Sequence, residues 1–252
     1  MRASGSLLRP GLLASVDALL SVVLAPRCAA CSRVLEMPRR GPVCDACWAG
    51  LRYVVPPLCA TCGDPLLSWR ILTDAERVCA RCRRRPPAFD CARAAGDYEG
   101  PLREIIHAFK YDGRQSLAKP LAAMMRTHGA TLLDDADFVV PVPLHPWRRF
   151  RRGFNQADLL AHRLDLPVVR ALWRRKATVP QTGLRRAQRR RNVRAAFRVS
   201  PLVRRAQLHD ACIVLVDDVR TTGATLDACA RVLKDAGAGE VRALTVARAP
   251  AL

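Results

Sequence analysis

At 252 residues, with 50% hydrophobic but only 5% aromatic side chains, the chain is long enough for one α/β domain plus a smaller module, and its core must be built from Ala, Val and Leu. That excludes an isolated finger and a globally disordered chain. Lys plus Arg number 42 against 22 Asp plus Glu, and the resulting charge of +20 favours phosphate-rich partners without naming one.

The first segment, 1–27, places Leu12, Val16, Leu19, Leu20 and Val23 at helical spacing and reads as an amphipathic helix. Asp17 interrupts its apolar run, so neither a membrane span nor a secretory core is expected, and a thiol-rich chain of this kind points to the reducing cytoplasm.

The second segment, 28–90, carries four C-x-x-C pairs, which account for eight of the eleven cysteines. Cys28 and Cys31 precede Cys44 and Cys47, and Cys59 and Cys62 precede Cys79 and Cys82. Each set reads as a Cys₄ zinc ribbon, because two knuckles bring four thiolates into a tetrahedron whose metal bonds replace a missing core. Pro38, Pro42, Pro56, Pro57 and Pro65 leave little room there for long helices. Sequential pairing of neighbouring knuckles is the first choice, and a cross-brace joining the first and third pairs is the alternative. A closed Cys₄ set leaves no open coordination position, so the zinc is expected to be structural. Cys91, Cys212 and Cys229 fall outside the pattern and read as small core hydrophobes.

The remainder, 91–252, alternates strand and helix patterns: a strand over 137–143, a helix over 156–164, a strand over 211–216, a helix over 225–236 and a strand over 241–247. Such alternation predicts a parallel α/β sheet of Rossmann-like type with flanking helices. Within it, 147–205 holds 18 Lys or Arg against Asp158 and Asp165 alone.

The strand over 211–216 is apolar throughout, as for a strand covered on both faces, and is expected to end at Asp217 and Asp218. Thr221, Thr222, Gly223, Ala224 and Thr225 follow, then a helix at once. At such a junction the free N–H groups of the loop and helix start converge, Gly223 admits close approach, and threonine hydroxyls add donors, which together make an anion cradle. Two adjacent carboxylates suit ribose hydroxyls better than phosphate. A sugar phosphate satisfies both halves.

The run Val-Leu-Val-Asp-Asp-Val-Arg-Thr-Thr-Gly-Ala-Thr over 214–225 resembles the phosphoribosyl pyrophosphate (PRPP) signature of type I phosphoribosyltransferases. Val-Pro-Val-Pro-Leu-His over 140–145 and Arg-Gly-Phe-Asn-Gln over 152–156 narrow the likeness to the ComF family, GntX-type proteins included. Lys110 with Tyr111, Thr178, Gln181, Leu184, Arg189, Asn192 and Phe197 extend it over nearly the whole chain from Cys28 onward. The resemblance implies a double zinc ribbon before a type I phosphoribosyltransferase domain. It implies PRPP as ligand, Mg²⁺ arriving with it, and a link to single-stranded DNA uptake in natural transformation, with a competence helicase or the uptake machinery as partner. By position in amidophosphoribosyltransferases, 141–156 would hold pyrophosphate and 174–194 would close over the site.

On these readings Asp217 and Asp218 hold the ribose, and residues 221–225 hold the 5′-phosphate. Arg152 and the Gly153 amide face the departing pyrophosphate, whose developing charge calls for cationic donors and Mg²⁺, and the resemblance adds Lys110 and Arg189 as PRPP-binding residues. His145 reads as a turn residue. No general base and no nucleobase hood is recognisable, so the acceptor is unidentified. The alternative is a non-catalytic protein that uses the transferase fold to bind single-stranded DNA, with Trp147, Phe150, Phe154 and Trp173 available for base stacking.

Overall fold

The computed structural model describes residues 25–66, 77–144, 146–174 and 196–250. The expected helix over 1–27 falls almost wholly outside the described residues, as do His145, Thr178, Gln181, Leu184, Arg189 and Asn192.

The cysteine-rich segment contains only two short α-helices, α1 (Asp45–Ala49) and α2 (Ala80–Arg84), each starting beside a cysteine of a second knuckle. Beyond it lie β1 (Cys91–Asp97), α3 (Gly100–Tyr111), α4 (Ala118–Leu133), β2 (Phe138–Pro141), α5 (Pro146–Arg152) and α6 (Gln156–Ala161). Then come β3 (Leu172–Arg174), β4 (Phe197–Val199), β5 (Cys212–Arg220), α7 (Ala224–Lys234) and β6 (Glu240–Arg248). Four strands form one parallel sheet in the order β1-β6-β5-β2, while β3 and β4 pair antiparallel beside it.

Helix periodicity decides which side chains cover the sheet. Leu102, Ile105, Ile106 and Phe109 form the buried stripe of α3, and Leu121, Ala122, Met125 and Leu132 that of α4. Both pack with Val214, Val216, Leu244 and Val246 on one face. On the other face, Leu226, Cys229, Ala230 and Leu233 of α7 meet Ile213, Leu215, Val241 and Ala243. Cys229 is thus a core residue, as its spacing suggested, whereas Cys91 and Cys212 are only half-buried.

The sheet edge is closed by the ribbon segment. Val54 N–H donates to Ala95 O at 3.1 Å, Asp97 N–H to Arg52 O at 2.9 Å, and Ala92 N–H to Thr61 O at 2.7 Å, so β1 is not an open edge. Gly63 makes the approach feasible: it has φ +67°, and a Cβ there would lie 2.3 Å from Ala92 O.

One expectation needs correction. The signature strand does not stop before the aspartates; β5 keeps parallel register with β6 as far as Arg220 against Arg248, so both acids are strand residues. The helices are also shorter than their apolar patterns, α6 ending at Ala161 and α7 at Lys234. None of the described helices is long and apolar enough to cross a membrane.

Candidate functional site: a phosphate loop and two cysteine clusters

The cysteines assemble as two sequential sets. In each, Cys28, Cys31, Cys44 and Cys47 or Cys59, Cys62, Cys79 and Cys82, the sulfurs lie within 4.8 Å of one another. Cys31 and Cys44 sulfurs are 3.8 Å apart, as are those of Cys62 and Cys79. A tetrahedron with zinc–sulfur bonds of ~2.3 Å has edges of ~3.8 Å, so both donor sets fit structural zinc. The knuckle backbone adds N–H···S bonds from Ala30 and Cys44 to Cys28 at 3.4 Å, and from Cys79 to Cys59 at 3.3 Å. Burial opposes ionisation of Cys28, but backbone donors from Cys31, Cys44 and Ala30 outweigh it and bring the thiol down to about 6. Cys59 falls to about 7 by the same balance, so each cluster holds one sulfur ready as thiolate.

At the C-terminal mouth of the sheet, strand alternation sends Asp217 and Asp218 to opposite faces. Asp218 follows the Val214 and Val216 face, is buried, and pairs with Lys110 of α3 at 2.7 Å. Burial opposes the Lys110 charge, yet Asp218 beside it outweighs that and holds the ammonium above its usual value. Lys110 is therefore engaged by Asp218 here, and the two form one neutral unit. Asp217 turns to the α7 face, where burial, then the Asp218 charge, raise its carboxyl to about 7 against the opposing pull of Lys110 and Arg174. Its Oδ1 accepts the Asp218 N–H at 2.9 Å.

The loop at 221–223 then turns into α7. Gly223 is the N-cap with φ +75°, a left-handed conformation that suits glycine. Ala224 N–H reaches Thr222 Oγ1 at 3.4 Å, while the N–H groups of Thr222, Gly223 and Thr225 meet no acceptor among the described residues. Asp217, Arg220, Thr221, Gly223, Ala224 and Thr225 surround a hollow of about 20 Å³. Free donors, a helix N-terminus and an acid on one rim make an anion seat with a hydroxyl-binding neighbour.

A separate cavity of about 380 Å³ is lined by Pro141, Pro143, Arg149, Gly153, Trp173 and Arg174, among others. Asn155 fixes its wall by donating to Val142 O at 3.2 Å and capping α6 through Ala157 N–H at 3.2 Å. Arg152 is held by Gln156 Oε1 at 3.1 Å and Tyr111 OH at 3.0 Å, over the Tyr111 ring. The Gly153 N–H, expected to face pyrophosphate, donates to Arg149 O at 2.8 Å and closes the last turn of α5 instead.

Local reading misses one cluster. Asp64, two residues past Cys62, accepts Arg220 Nη2 at 2.5 Å and Arg81 Nη2 at 2.6 Å, with Arg248 Nη1 at 3.6 Å. Nothing in the neighbourhood of Asp64 in the sequence signals a partner 156 positions away.

The comparisons agree with this layout. Residues 19–86 match the double zinc ribbon domain family, and residues 150–252 the phosphoribosyl transferase domain family. The chain is 31% identical to competence protein F of Haemophilus influenzae over 88% of its own length and 97% of the relative's. It is 32% identical to the DNA utilization protein YhgH of Escherichia coli K12 over 88% and 96%. The chain belongs to the ComF/YhgH family. The Bacillus subtilis competence protein ComFC is similar at 28% identity over 82% of this chain and 84% of that one. A weaker likeness, TM-score 0.35 at 23% identity over 52% of this chain and 26% of the other, is to the solved structure of the allosteric regulatory enzyme of purine biosynthesis. This ComF-family chain thus carries the family's double zinc ribbon and transferase domain, the latter with the 221–223 loop between β5 and α7.

Proposed function

We propose that this protein binds PRPP together with Mg²⁺ and transfers its phosphoribosyl group to an acceptor in DNA uptake or utilization. The observation that carries this is the set of unpaired N–H groups of Thr222, Gly223 and Thr225 near the Asp217 carboxyl, towards the C-terminal end of a central parallel strand. The 5′-phosphate takes the seat formed by Thr221, Thr222, Gly223, Ala224 and Thr225. Asp217 accepts ribose hydroxyls, and the Asp218–Lys110 pair closes the other side without adding net charge against the phosphates. Departure of pyrophosphate from the anomeric carbon needs its charge neutralised, by Mg²⁺ and by cationic side chains. Arg152, held beside Gln156 and Tyr111, is assigned this task and must leave those partners to perform it, and the Gly153 N–H joins only if the last turn of α5 opens. Arg189 is assigned to PRPP binding from its place in the sequence. The relatives' names, competence protein and DNA utilization protein, support a role in competence and the use of DNA. Isothermal titration with PRPP and Mg²⁺ tests the reading: one site per zinc-loaded chain is expected, at least tenfold weaker in Asp217→Asn. A flat titration of zinc-replete protein overturns it.

A second reading is favoured by α5. Its sequence, Pro-Trp-Arg-Arg-Phe-Arg-Arg, leaves Trp147 60% and Phe150 89% exposed, and Arg151 lies 5.7 Å from the Trp147 ring centre. Exposed aromatics interleaved with arginines form a stacking and phosphate-tracking surface for single-stranded DNA. Phe154 does not belong to it, since it packs against Phe109 at 5.9 Å. Gel shifts across a salt series discriminate: binding lost in Trp147→Ala plus Phe150→Ala supports this surface, and unchanged binding removes it.

A further inference from the structure

A cavity of about 320 Å³ lies between the exit of the second ribbon and the outer side of the phosphate loop. Five arginines line it, Arg81, Arg84, Arg85, Arg220 and Arg231, against the single carboxylate of Asp227. Sorting these charges by partner shows which are available. Arg81 and Arg220 are engaged by Asp64, and Arg81 also lies beside the Cys62 and Cys82 sulfurs. Asp227 accepts the Ala88 N–H at 2.7 Å and faces Arg231 at 3.4 Å, so that pair is self-compensated. Arg84 and Arg85 remain: both are exposed, and neither has a carboxylate partner among the described residues. Gly223 and Ala224, at the N-terminus of the eleven-residue α7, line the same cavity. The floor carries the apolar surfaces of Pro86, Pro87 and Phe89.

Two guanidiniums without carboxylate partners among the described residues, a helix N-terminus and apolar side chains in one cavity form a receptor for a phosphate-bearing ligand with a flat apolar part. We propose that this seam is a second anion site, distinct from the PRPP seat, which takes a diphosphate-bearing ligand of nucleotide size. Thr222, Gly223 and Ala224 border this cavity, and Arg220, Gly223 and Ala224 also border the smaller hollow, so the two sites share part of one loop. The site stands on the geometry of the seam and does not require that PRPP be the ligand of the first.

The test uses the zinc-loaded full chain and titrates ADP and inorganic pyrophosphate separately. The expected result is an ADP affinity at least tenfold weaker in Arg84→Ser plus Arg85→Ser, largely restored in Arg84→Lys plus Arg85→Lys, and unchanged within threefold in Asp217→Asn. PRPP should show the reverse dependence, so failure of the first site and failure of this one are read separately. ADP tighter than pyrophosphate supports a contribution from the Pro86, Pro87 and Phe89 floor. Pyrophosphate binding better, or ADP affinity indifferent to both arginines while zinc content is intact, overturns the proposal and leaves these arginines as counter-charges to the zinc–thiolate centre alone.

Discussion

Asp64 of the second ribbon and Arg220 at the end of β5 are 156 positions apart in sequence and 2.5 Å apart in the fold. Arg220 has only 2% of its side chain exposed and Asp64 16%, so the pair sits where solvent screens little. It joins a zinc knuckle, through Cys62 and Gly63, to the residue that leads directly into the phosphate loop. Asp64→Asn strands the buried guanidinium charge, and breaking such a pair costs about 3–5 kcal/mol. A lower midpoint in urea denaturation and weaker PRPP binding are expected together.

The same pair sets an acid limit. Burial opposes ionisation of Asp64, but Arg220 and Arg81 outweigh it and hold the carboxyl below its ordinary value. A depressed folded value means the stabilisation is present above the unfolded value of about 3.9 and is lost as pH falls through the folded one. The advantage of wild type over Asp64→Asn is therefore full above about pH 4 and shrinks as pH falls below that.

Asp217 has the opposite sign. Its carboxyl is raised to about 7 in the fold against about 3.9 when unfolded, so the folded chain holds the extra proton between them. Its contribution is full below about pH 4 and disappears as pH rises through about 7. The groups that face it are Asp218, Lys110, Arg174 and Cys229, and Asp217→Asn removes the titration without removing them. Denaturation midpoints should decline from pH 5 to pH 8 more steeply in wild type than in the variant. Equal slopes would place the proton elsewhere.

Zinc loss should act unequally. Cys62→Ser disturbs the knuckle that presents Asp64, whereas Cys31→Ser disturbs the other cluster, which has no contact with Arg220 among the described residues. Both variants are expected to lose one zinc per chain by elemental analysis, but only Cys62→Ser should weaken PRPP binding by tenfold or more. Equal losses would show that the ribbons act only as a common scaffold.

Much of this architecture was legible because its signals are local. Cysteine spacing reports the two sulfur clusters, and the apolar run before Asp217 and Asp218 reports a central strand that turns through a Thr-Thr-Gly-Ala-Thr loop into a helix. Strand β1, Cys-Ala-Arg-Ala-Ala-Gly-Asp, lacks the β-branched and aromatic residues that mark a strand, and its conformation comes from pairing with β6 and from the ribbon backbone. The Asp64–Arg220 pair, the loss of Lys110 to Asp218 and the use of the Gly153 N–H within α5 depend on chain meeting chain in space, or on where a helix happens to end. No pattern in the residues alone reports them.

A crystal structure of the zinc-loaded protein grown with PRPP and Mg²⁺ tests the central claim most directly. The account predicts the 5′-phosphate within hydrogen-bond reach of the N–H groups of Thr222, Gly223 and Thr225, with Asp217 on a ribose hydroxyl. A phosphate bound elsewhere, with that loop empty and Asp217 untouched, would contradict it.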